Sequence, residues 1–368
     1  MMKNRKLVLE DGSVFEGIGF GSNNEAIAEV RFNTSVVGYQ EILSDQANYQ
    51  QIICMAYPLI GNYGLTDEDY ETRFLTAKGI IVREYNDIPS NFRFTHKLSE
   101  VMDEEGIPGI YDVDTREIVR KLRDKGILKG IICDINKPIE ECIKILNDYK
   151  CPTDLIKNVS SKKVWYSRTT NPINNVVVID CGIKHSIIEM LNNISCNVIV
   201  VPYNYPLESI LKLKPNGILI SDGPGDPNMA VEVIELVKQI KSKLPILGIG
   251  LGQEIIGIAY GAKAIKEKVG HNGCNLPVKC LKTGKIEITS QNDTYILDSE
   301  SITNTNLKVT HVNLLDNCIE GIVDEENDVI AIKYSPAENL DSDDYVFNRF
   351  AELLKNFGGN VNAKKNRY

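Results

Sequence analysis

From residue 175 onward the chain alternates short, continuously apolar runs with amphipathic stretches, and no other feature restricts its fold so tightly. Val176-Val-Val-Ile-Asp, Asn197-Val-Ile-Val-Val, Gly217-Ile-Leu-Ile-Ser and Pro245-Ile-Leu-Gly-Ile are too short for core helices and apolar on both faces. Strands of that kind belong to a parallel sheet buried on both sides. The segments between them, 184–191, 207–213 and 230–240, carry helical spacing and supply the covering layers. Residues 285–289, 307–311, 321–323 and 329–333 read as further strands, and 345–357 as a closing helix.

The first 150 residues have a different texture. Runs such as Lys6-Leu-Val-Leu and Glu29-Val-Arg-Phe alternate with Gly- and Asn-containing turns. A helix is predicted over 115–125, where Ile118, Val119 and Leu122 recur at helical spacing between a cap at Asp114 and a stop at Gly126. This half reads as α+β. The polar, Pro- and Asn-punctuated stretch 151–175 reads as a linker, which gives domains at 1–150 and 176–358 and a tail at 359–368.

A hydrophobic content of 43%, a charged content of 25% and a formal net charge of -9 describe a globular chain with interspersed charges. No basic stripe marks a nucleic-acid partner, and no apolar run approaches the ~20 residues a membrane span needs. Without a signal-peptide core, the expected location is cytoplasmic. The nine cysteines are scattered and odd in number, and several sit in apolar runs, as reduced structural thiols do. His271, Cys274 and Cys280 lack zinc spacing, so no metal and no cofactor are expected.

In a parallel sheet, ligands gather beyond the carboxyl ends of the strands. Ser221-Asp-Gly-Pro-Gly-Asp-Pro227 lies at one such end, either as a ligand-approach loop or as an ordinary strand-to-helix turn. Gly248-Ile-Gly-Leu-Gly252 lies at another, between an apolar strand and the helical residues Ile255, Ile256, Ile258 and Ala259. Strand, sharp small-residue turn and helix are the parts of a nucleophile elbow, whose central slot should hold Ser or Cys. Here it holds Gly250. A dinucleotide fingerprint would need a third glycine where Gln253 stands, and would open the first strand-helix unit instead of a late one.

The second half resembles a class I glutamine amidotransferase domain, and the whole chain resembles the small subunit of carbamoyl-phosphate synthetase. The first half carries the distinguishing segments: Leu7-Val-Leu-Glu-Asp-Gly-Ser-Val-Phe-Glu-Gly, Phe32-Asn-Thr-Ser-Val-Val-Gly-Tyr-Gln-Glu-Ile-Leu, Tyr57-Pro-Leu-Ile-Gly-Asn-Tyr-Gly and Gly106-Ile-Pro-Gly-Ile-Tyr-Asp-Val-Asp-Thr-Arg. Ser221 to Pro227, Gly261-Ala-Lys, Gly270-His-Asn-Gly, Thr289-Ser-Gln-Asn and Thr310-His-Val-Asn extend it through the second half. The resemblance implies a mostly parallel sheet flanked by helices behind an α+β domain. It also implies a large-subunit partner, and glutamine hydrolysis that delivers ammonia for carbamoyl phosphate synthesis from bicarbonate and ATP. That product serves pyrimidine and arginine biosynthesis.

The family's reaction uses an elbow cysteine, a histidine and a glutamate, because a thiol attacks as thiolate, an imidazole generates it and a carboxylate orients the imidazole. This chain departs at all three positions, with Gly250, Ser335 and Ala337 in their places. Gln253-Glu254 also replaces the family's His-Gln, and Thr294-Tyr295 its Gly-Phe. By resemblance, Ser35, Gly223, Gly225, Leu251 and Asn292 keep glutamine-binding positions, beside the altered Glu254, Thr294 and Tyr295. A carboxylate at 254 would repel the ligand's own carboxylate unless protonated or paired, so glutamine affinity is expected to be weakened or lost. The implied function is a subunit that no longer hydrolyses glutamine and acts structurally or in regulation. A residual glutaminase using Cys274 near His271, and a free-standing binder of another metabolite, are the alternatives. His185 and His311 are expected to be ordinary surface or packing histidines.

Overall fold

The computed structural model describes residues 2–336 and 346–365, with side chains to residue 357. Contacts divide the chain into one unit of Met1–Pro152 with Lys268–Gly273, and a second of Thr153–Glu267 with Cys274–Tyr368.

The first unit is built on a closed barrel whose strands run, in spatial order, Arg5–Leu9, Val14–Gly21, Pro108–Tyr111, Gly79–Ile81, Ile52–Met55, Ala26–Asn33 and Leu128–Asp134. Closure leaves no free sheet edge. Leu7, Leu9, Val30, Ile52, Ile110 and Ile132 are buried in its interior cluster. The helix Thr115–Lys125 adds Ile118 and Leu122 to that cluster. Its ends are those the sequence predicts: the Asp114 side chain accepts from Glu117 N, and Gly126, at φ 99°, donates to Leu122 O.

The signature segments of this unit lock onto one another. Gln40 is fully buried, donates from Nε2 to Thr66 O and accepts at Oε1 from Thr66 N, as a neighbouring strand would. The Tyr63 hydroxyl accepts from Gly38 N and Tyr39 N, while Tyr39 stacks on Tyr63 and donates to Gly64 O. Thr34 donates from N and Oγ1 to Asn272 O, which joins the Phe32 segment to the Gly270 segment.

The second unit carries a ten-stranded sheet. Its parallel block runs Cys196–Pro202, Asn174–Asp180, Gly217–Ile220, Ile246–Ile249, Val329–Ile332. Helices His185–Asn193, Val231–Ile240 and Leu251–Ala259 place apolar faces in the two core clusters that sandwich it. The expected mostly parallel sheet holds for this block. Beyond Val329–Ile332 the sheet turns antiparallel through Ile319–Asp324, Lys308–Asn313 and Ala264–Cys280, and it ends at Ile286–Leu297.

Residues 151–175 are not a bare tether. They contain the helix Leu155–Val159 and the strand Trp165–Ser167, which pairs antiparallel with Cys196–Pro202 at the sheet edge. The closing helix, Val346–Lys365, runs past the predicted end. Cys151 and Cys274 are exposed and the other seven cysteines are buried free thiols. Among the described residues no helix is long and apolar enough to cross a membrane.

Candidate active site

The site is assembled at the carboxyl ends of three parallel strands. Ile246–Ile249 ends at Gly250, which sits at φ 55° and ψ -121° and caps the helix Leu251–Ala259. That backbone region is strained for any residue with a Cβ. Gly250 N donates to Ile332 O of the adjacent strand, and Gln253 N donates to Gly250 O, so both sides of the turn are tied down. The flanking glycines are steric necessities. A Cβ on Gly252 would strike Ile220 O, and one on Gly248 would strike the Ile256 side chain. The backbone has the strand, sharp turn and helix of a nucleophile elbow, with glycine at its apex.

The second strand end is Ser221-Asp222-Gly223. Cys181 N donates to Ser221 Oγ, which donates in turn to Asp222 O, fastening this turn to the end of Asn174–Asp180. A Cβ on Gly223 would collide with Cys181 O, so residue 223 must be glycine. Gly225, at φ 97°, is the turn's second obligatory glycine.

Asp222 links the two turns. Its Oδ1 accepts from Gly223 N at 2.8 Å and from Leu251 N at 3.0 Å. Its Oδ2 lies 3.3 Å from Lys184 Nζ, in an ion pair whose side chains are 13% and 9% exposed. A Cβ built on Gly250 would overlap this carboxylate. Where an active elbow projects its nucleophile, this protein holds an aspartate.

Glu254, one turn along the elbow helix, is almost completely buried. Burial is the largest influence and pushes its carboxyl well above the usual carboxylate range; Lys333 opposes this, while Asp293 and Asp222 add to it. Burial thus favours the neutral acid, the form closest in shape and charge to a glutamine amide. A raised carboxyl binds its proton more tightly folded than unfolded, so its neutral form stabilises the fold below the unfolded value of about 4.3, and that stability drains away as pH rises towards the folded value. Replacing Glu254→Gln is expected to remove this slope. Urea unfolding between pH 5 and pH 8 should show the wild type losing stability relative to the variant, by about 1.4 kcal/mol for each pH unit over which the two forms differ in protonation.

Behind Glu254 lies a buried charge cluster. Lys333 Nζ is 2.9 Å from Asp293 Oδ1, and the lysine side chain is wholly inaccessible. Burial acts to lower its pKa, but Asp293, Glu320 and Glu254 together outweigh that and hold it above the ordinary lysine value. Glu320 Oε1 accepts from Asn313 Nδ2 and from the Cys318 thiol. Neither Lys333 nor Asp293 is marked by a motif: one closes an apolar strand, the other stands inside the segment Asn292 to Tyr295.

The other residues singled out by the sequence lie as follows. Ser335 is half-buried, and its N donates to Ser290 O across an isolated bridge. Ala337 lies outside the described residues. Asn292, Thr294 and Tyr295 share the strand Ile286–Leu297, with Thr294 buried. Ser35, in the first unit, is buried, and its N donates to Asn33 Oδ1. Cys274 is exposed on Ala264–Cys280, away from the elbow in sequence and on another element. His311 is buried edge-on to Tyr334, and His185 pairs on the surface with Glu189.

Strand, strained glycine and helix, with two turns converging at the sheet's carboxyl edge, define an elbow-bearing α/β domain, and residues 177–353 match the family "Glutamine amidotransferase class-I". Residues 7–132 match "Carbamoyl-phosphate synthase small chain, CPSase domain". The chain belongs to the carbamoyl phosphate synthase small chain family. It is 42% identical to the carbamoyl phosphate synthase small chain of Fusobacterium nucleatum over 98% of this chain and 100% of that one. It is also 42% identical to the small chain of Listeria innocua, over 96% and 97%. Identity to the carbamoyl phosphate synthase pyrimidine-specific small chain of Bacillus subtilis is likewise 42%, over 95% and 96%.

Proposed function

We propose that this protein is a carbamoyl phosphate synthase small chain that does not hydrolyse glutamine, and that it serves a cytoplasmic large chain as a structural or regulatory subunit during synthesis from free ammonia. The observation that carries the reading is Gly250: the elbow backbone is formed, but no sulfur or hydroxyl projects from it. Without a nucleophile there is no covalent route to amide cleavage. Ser335 offers no base near neutral pH in the histidine position. Loss of such a set typically costs about a millionfold in turnover.

The kept glutamine-binding positions do not argue for turnover. Gly223 and Leu251 present their amides to Asp222. Glutamine affinity is accordingly expected to be lost or much reduced. The match of residues 7–132 to the small chain's own first domain supports docking on a large chain, and the pyrimidine-specific relative suggests pyrimidine biosynthesis as one destination of the product.

The test is a paired assay of the chain with its large chain. Carbamoyl phosphate should form from ammonia, while glutamine should yield neither product nor glutamate above the uncatalysed rate. Steady glutamate release overturns the reading, and its abolition by Cys274→Ala would assign the activity to a displaced thiol. Failure to co-purify with the large chain, together with a clear thermal stabilisation by another metabolite, would favour a free-standing binding protein.

A further inference from the structure

We propose that Asp222 is the resident ligand of the elbow's anion pocket: its carboxylate takes the place of a substrate oxygen and excludes any side chain at position 250. This deepens the reading of the site as non-hydrolytic and rests on it.

In a working elbow, the amide of the residue after the nucleophile and a second amide from a neighbouring loop hold the oxygen that gains charge as the substrate is attacked. Here those donors are Leu251 N and Gly223 N, and both point at Asp222 Oδ1. The other carboxylate oxygen is held by the buried Lys184 ammonium. Two amides and a cation are a complete receptor for a small carboxylate, and the protein fills it from its own chain. Charge-assisted hydrogen bonds of this kind are about twice as strong as neutral ones. An external amide would have to displace a ligand tethered at very high effective concentration.

The same geometry couples positions 222 and 250. A Cβ at 250 would overlap Oδ1 and Cγ of Asp222, so the carboxylate can stay only while residue 250 is glycine. The glycine at 250 and the seated Asp222 carboxylate are thus sterically interdependent. Reintroducing a nucleophile is blocked by Asp222 as well as by the absence of a base.

Two measurements on the full chain test this. Asp222→Gly empties the pocket but keeps the amides and Lys184, so formate should raise its unfolding midpoint in a saturable way, compared with equal chloride, and should shift the amide resonances of Gly223 and Leu251. The wild type should show neither effect. Gly250→Ala should lower the wild-type midpoint by roughly 5–15 °C, through backbone strain and overlap with Asp222, and by less than half as much in the Asp222→Gly background. If Gly250→Ala fails to fold alone, folding of the double variant carries the same meaning. An equal cost of the Cβ in both backgrounds, or no difference between formate and chloride on the emptied pocket, overturns the proposal. Neither readout involves glutamine. Hydrolysis by the wild type would therefore sink the functional reading without touching these results, and their failure would leave that reading standing.

Discussion

Replacing Lys333→Met is expected to lower the unfolding free energy by about 3–5 kcal/mol, enough to remove much of the stability of an ordinary domain. The lysine side chain is inaccessible and 2.9 Å from Asp293, with Glu320 and Glu254 among the groups that raise its pKa. Methionine fills similar volume, so the loss comes from electrostatics. Asp293, Glu320 and Glu254 would lose the positive charge of Lys333, and that loss favours their taking up protons. Stability of the variant should then fall as pH rises above the unfolded carboxylate values of about 4, and the gap from wild type should be wider at pH 8 than at pH 5. The lysine's own raised pKa contributes stability throughout that range, since this is lost only as pH passes upward through its folded value. Adding Asp293→Leu to Lys333→Met should recover part of the loss, because an apolar pair is often no worse than a buried ion pair. Chemical denaturation at the two pH values checks both statements. Single and double variants of equal stability would show that the pair is not coupled.

Such a cluster explains where the sequence was readable and where it was not. The helix Thr115–Lys125 and the strand–Gly250–helix turn are encoded locally, by caps, periodicity and small residues within a few positions of one another. The elbow's glycines were legible because their steric reason lies within the turn and its adjoining strands. Lys333 was not legible, because a cation closing an apolar strand looks like a solvated end until Asp293 arrives from a different strand. The strand Ala264–Cys280 was missed for a related reason. Its burial does not follow a clean alternation, and its charged start and two glycines resemble a loop. The barrel was read only as α+β because strands as short as Gly79–Ile81 carry no period of their own. Asp222 stands in the Gly/Pro turn that the sequence singles out, yet its role depends on Leu251 N and Lys184 Nζ, which only the folded sheet brings to it.

The same coupling sets the expected result of rebuilding the active site. Gly250→Cys alone should give no glutamine turnover, and neither should the triple change Gly250→Cys, Ser335→His, Ala337→Glu while Asp222 is retained. A thiol introduced at 250 meets a carboxylate held by two amides and Lys184, and a nearby negative charge disfavours thiolate. The oxygen of an attacked amide would also find its two donors already engaged. Removing one such donor in a working enzyme costs about 10²–10³ in turnover, so blocking both masks a correctly placed triad. Adding Asp222→Asn releases the charge and loosens the hold of Lys184. The quadruple variant should then exceed the triple by at least about 10²-fold in glutamate release, and its thiol should react faster with iodoacetamide at pH 7.5. Full activity in the triple variant would mean that Asp222 yields the pocket freely, and would limit the proposed loss of glutaminase activity to the nucleophile, base and orienting carboxylate alone.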